Sequence, residues 1–138
     1  MARPAMWVAI GIFLACSSAR ASDERDATAV KAAQTWLALV DAGHYEESWR
    51  TAAAYSKNAI GQDQWNQSLG AVRRTLGKVL SRRIMSKTFM TELPGAPGGQ
   101  YVVIQFDTAF ENKASSVETV TPMADPDGAW RVAGYFIK

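Results

Sequence analysis

His44 is the one histidine of the chain, and it lies three residues after Asp41. An imidazole near a carboxylate is two thirds of a nucleophilic triad, but the chemistry also needs an activated hydroxyl or thiol, and no G-x-S-x-G turn occurs. Asp41 and His44 flank Gly43 at the end of a helical pattern, so His44 reads as a capping or surface residue and no catalytic residue is expected. Zinc is excluded on ligand count, because one histidine and a lone cysteine, Cys16, cannot supply three nitrogen or sulfur ligands. Asp125-Pro126-Asp127-Gly128 alternates carboxylates as a calcium loop does at its start. It lacks the third ligand and the distant bidentate glutamate, so it reads as a hairpin turn. Neither a metal site nor a cofactor is expected.

The strongest charge feature is the set Arg73, Arg74, Lys78, Arg82, Arg83 and Lys87, in a stretch from Asn66 to Thr91 that contains no acid. Its plainer reading is a solvated face paired with acids elsewhere; its sharper one is contact with an anionic protein or lipid headgroup. Aromatics recur at core-facing spacings. Among them Trp36, Trp49, Tyr101 and Tyr135 are the candidates to line a ligand pocket between helices and sheet, with indole N–H and phenol O–H groups as polar handles. If such a pocket did chemistry, Asp41, Asp107 or Glu118 would face into it.

These residues must be positioned by two kinds of element. From Asp26 to Ala42 the apolar positions Val30, Ala33, Leu37 and Val40 follow the helical period, and Gly43 ends the run. A second helix is expected from Tyr45 to about Ala54, with Glu46 and Glu47 at its positive end, and a third from Asp63 to Leu76, closed by Gly77. The period then becomes that of strands: Val79 to Leu93, a Pro/Gly loop at 94–99, the alternation Val102-Ile104-Phe106, Ser115 to Met123, and Trp130 to Ile137. The expected fold is α+β, three N-terminal helices packed on a curled four-stranded antiparallel meander sheet. The last strand has apolar residues on both faces, Trp130, Val132 and Phe136 against Ala133, Tyr135 and Ile137. A homodimer through the sheet is the expectation that follows.

The N-terminus sets the setting for all of this. Arg3, the apolar run from Trp7 to Cys16 and Ala19-Arg20-Ala21 have the order of a secretory signal peptide, cleaved after Ala21. The expected product is one exported, periplasmic or secreted domain, residues 22–138. The alternative is a lipoprotein anchored at Cys16, which follows Phe13-Leu14-Ala15. Cleavage after Ala21 removes Arg3 and Arg20 from the 15 basic residues and so leaves 13, equal to the acids. A neutral exported domain has no field to steer it to nucleic acid, and without Cys16 it forms no disulfide.

Several strings in order, among them Ala33-Gln34-Thr35-Trp36-Leu37, Tyr45-Glu46-Glu47-Ser48-Trp49, Tyr101-Val102-Val103-Ile104 and Gly128-Ala129-Trp130-Arg131-Val132, resemble the bacterial domain of unknown function 4019 family. The resemblance spans nearly the whole of 22–138 and implies no reaction, because that family has no assigned activity. Its helices-then-sheet plan looks like the NTF2-like or cystatin-like class. The function expected is therefore a non-catalytic binding or interaction module, with an NTF2-like pocket protein or weak enzyme as the alternative.

Overall fold

In the computed structural model, residues 15–138 are described. The basic start at Arg3, the apolar run from Trp7 to Leu14 and the side chain of Cys16 lie outside what it describes. The order is α1 (Ala15–Asp41), α2 (Tyr45–Arg50), α3 (Ala54–Ala59), α4 (Gln62–Leu76), then β1 (Val79–Met90), β2 (Tyr101–Phe110), β3 (Lys113–Ala124) and β4 (Trp130–Ile137). The strands form one antiparallel sheet in the order β1-β2-β3-β4. This is the α+β meander the periodicities require.

The inner layer is built from two periods that meet. On α1, Ala29, Ala33, Trp36, Leu37 and Val40 form one buried stripe. On β2 the alternate residues Val102, Ile104 and Phe106 are buried beneath it, joined by Val120 and Val132. Helix α1 ends as its sequence demands: Gly43 takes φ +77, its N–H bonds Val40 O, and the His44 N–H bonds Leu39 O. That double bond is the Schellman stop, which a glycine reaches without strain.

The second helix, expected from Tyr45 to about Ala54, stops at Arg50, and after Thr51–Ala53 a separate short helix, α3, follows, so the helices number four and not three. Ala52 and Ala53 are fully buried, and the Ala53 N–H donates to Val132 O at 2.8 Å rather than continuing the helix. A strand edge has thus captured a donor that a helix would have used. Strand β4 also departs from strict alternation. The register slips between Thr121 and Pro122, which has no N–H to give, so Val132 and Tyr135 both pack against the core while Phe136 remains 50% exposed.

Candidate functional site

The inner face of the sheet carries a polar band, one residue from each strand. Arg82 on β1 is opposite Thr108 on β2, and Glu118 on β3 lies diagonal to both Thr108 and Tyr135 on β4. Glu118 is wholly buried, and its oxygens are saturated. Oε1 accepts from Arg82 Nε at 2.7 Å and from Thr108 Oγ1 at 2.5 Å; Oε2 accepts from Arg82 Nη2 at 3.2 Å and from the Tyr135 hydroxyl. Two helices close the band from above. Asp41, at the end of α1, accepts from Arg82 Nη1 at 2.7 Å and Nη2 at 3.0 Å, and from Arg73 Nη2 of α4 at 2.7 Å.

Electrostatics within the band follow from burial and pairing. Burial would raise the Asp41 carboxyl, but hydrogen bonds from Arg82 and Arg73 outweigh it and hold the group below its ordinary value. Burial likewise opposes the Arg82 charge, and the bonds to Asp41 and Glu118 reverse that and raise it. The Tyr135 phenol is pushed up, first by burial and then by the Glu118 charge and its hydrogen bond. Arg73 is 5% exposed; its Nε and Nη1 have no acceptor, and its guanidinium lies 5.2 Å from the Phe110 ring centroid, whose π-face offsets part of that loss.

The basic stretch is therefore split by the fold. Arg73 and Arg82 turn inward to the ion network, and Arg83 pairs across strands with Asp107 at 2.9 Å on the other face. Arg74, Lys78 and Lys87 are exposed. His44 is exposed at the N-cap of α2 and makes no side-chain cap bond. Asp125 and Asp127 are both held by Arg131, at 2.8 and 2.9 Å, and the Arg131 hydrogen bond brings Asp127 down to about 2. Among the described residues, no three His, Cys, Asp or Glu side chains gather as a metal site.

The aromatics divide just as unevenly. Trp36 is buried and donates to Ser48 O at 2.9 Å; Trp49 donates to Ile60 O at 2.8 Å; Tyr101 is buried and donates to Pro97 O. These three close the core and its loops. Tyr135 alone of the four lines an open apolar groove of about 620 Å³ between α3, α4 and β4, with Ile60, Trp65, Leu69, Val72 and Phe136. Ile60, Val72 and Phe136 are 37%, 46% and 50% exposed, respectively. The periodicity of α4 gives Trp65 and Leu69 one face, but only the placement of β4 beside it makes a groove. A second groove of about 500 Å³, its lining part polar and part apolar, lies over Asp41 and Arg82 between α1 and β1.

A family model described as "Protein of unknown function (DUF4019)" matches residues 32–135. The chain belongs to this family. No curated protein and no solved structure matches it. The match takes in the stripe of α1 from Ala33 onward, the ion network and the wall of the DUF4019 groove as far as Tyr135. Among the described residues no helix is long and apolar enough to cross a membrane.

Proposed function

We propose that this DUF4019 domain is an exported, non-catalytic binding module whose ligand occupies the groove between α4 and β4. The observation that carries the reading is the groove itself. About 620 Å³ is within the range of roughly 300–1,000 Å³ of ligand clefts. Its walls are mostly apolar, and Trp65, Leu69 and Tyr135 join them to the main core cluster. An exposed concave apolar surface of this kind is costly to leave in water, which is the usual reason that something covers it.

The competing reading, a pocket enzyme of the NTF2-like kind, needs a carboxylate with a free oxygen facing a cavity. Glu118 accepts four hydrogen bonds, its full complement, and Asp41, which accepts three, is held below its ordinary value by Arg82 and Arg73, the opposite of the upward shift a general acid or base at neutral pH needs. Export is supported by the order of residues 3–21 and by α1, in which Ala29 is the first buried residue among those described. An anionic partner, if present, would meet Arg74, Lys78 and Lys87.

Nile red, an uncharged fluorophore, is the probe. It should bind the wild-type protein with blue-shifted emission. Val72→Asp, a change at a 46% exposed wall position that leaves the core intact, should weaken binding about tenfold or more, because it puts a charge into an apolar site. Equal binding by wild type and variant would refute the groove as the site.

A further inference from the structure

We infer that the occupant of the α4–β4 groove is an extended, uncharged peptide that adds to the sheet as a fifth strand along β4. This rests on the reading of the groove as the binding site and says what kind of molecule enters it.

β4 ends the sheet, so one row of its backbone groups has no strand to pair with. Among the described residues, the molecule covers only the first half of that row. Ala53 N–H donates to Val132 O at 2.8 Å, and Ser56 Oγ donates to Ala133 O at 2.6 Å, so α3 and the turn before it satisfy the edge there. Beyond this point the cover stops. Val117 and Lys138 exchange both of their backbone bonds, at 2.9 and 3.0 Å, which makes them a hydrogen-bonded pair. Antiparallel pairs alternate, so Phe136 opposite Thr119 also turns its N–H and C=O toward β3. Tyr135 and Ile137 must then turn theirs outward, along the wall of the groove.

The other edge of the sheet is treated differently. β1 carries two register slips and the charged residues Arg83 and Lys87, the usual means of refusing a further strand. From Gly134 to Ile137, β4 has neither a slip nor a charge. The open half-edge coincides with the groove, where no lining side chain is charged and the apolar face of α4 stands opposite. A ligand that matches this needs alternating donors and acceptors on one side and uncharged side chains on the others. An extended peptide backbone has that pattern, and a small apolar molecule or a charged headgroup does not.

The test uses a short blocked peptide of alternating threonine and valine, read by displacement of Nile red and by amide exchange of the labelled protein. The peptide should displace Nile red and slow exchange at the Tyr135 and Ile137 amides, while Gly134 and Phe136, already bonded to β3, change little. Methylating the backbone nitrogens of one alternate set of peptide residues should weaken displacement about tenfold, and methylating the other set should change it less than about twofold, since only one set faces β4. If Nile red binds in the groove but the peptide neither displaces it nor protects the two amides, the fifth strand is overturned and the groove reading stands. If Nile red itself fails to bind, both fall. If the free protein already protects the two amides and has twice its monomer mass, a second copy pairs at this edge and the peptide proposal is overturned.

Discussion

Glu118 is a carboxylate with no exposed surface, and its burial is tolerable because every lone pair that a donor can reach is taken. Removing one partner of such a pair costs more than the pair contributes. Glu118→Ala should therefore lower stability by about 3–5 kcal/mol, while Tyr135→Phe, which leaves Arg82 and Thr108 in place, should cost about 1–3 kcal/mol. Urea unfolding with an unchanged slope checks both; equal losses would mean that the ion pair matters no more than the phenol. The pH dependence has two ends. Asp41 is held below its ordinary 3.8, so its contribution is complete above that value and is lost as pH falls further. Tyr135 is held above its ordinary 10.0, so its contribution is complete below that value and is lost as pH rises through it. Unfolding temperature measured across pH should fall at both ends, and Tyr135→Phe should flatten the alkaline fall only.

At the scale of elements, the joint between α4 and β1 is where one residue decides. Gly77 has φ +77, and a Cβ there would lie 3.0 Å from Glu111 Cβ. Gly95 has φ +76 and open space around it. Both Gly→Ala changes put a side chain at positive φ, but Gly77, at φ +77 and ψ −159, is in the extended positive-φ region that essentially only glycine adopts, and it alone adds a collision. Thermal unfolding should show the larger loss for Gly77→Ala, and equal losses would dismiss the close approach. The helix stops at Gly43 and Gly77, the stripe of α1 and the alternation of β2 were legible, because each follows from periods and stop residues within a few positions. The break at Thr51–Ala53 and the slip in β4 were not. The break depends on the Val132 carbonyl, far from Ala53 in the chain, and the slip on how Pro122 meets Val132 across two paired strands.

The whole molecule shows how the same limit acts on the site. Helix α1 from Ser18 to Glu24 contributes no buried residue, and the stripe starts at Ala29. A protein lacking residues 1–21 should unfold at the same temperature as the full chain, and the mature protein from its host should have a mass that starts at Ser22. A diacylated mass starting at Cys16 would instead establish the anchored form. The basic stretch was visible as charge, but its division was not: Arg73 and Arg82 are spent on Asp41 and Glu118, and Arg74, Lys78 and Lys87 are left outside.

What the sequence determined by itself was the class of fold and the family, since these depend on residue types and on spacing within one element. The tertiary structure decided which charges are buried, which of four candidate aromatics faces the α4–β4 groove, and where a strand edge is open. Those are facts about neighbours distant in the chain. Hydrogen-bond saturation and concavity exist only once α1, α4 and the four strands are set against each other.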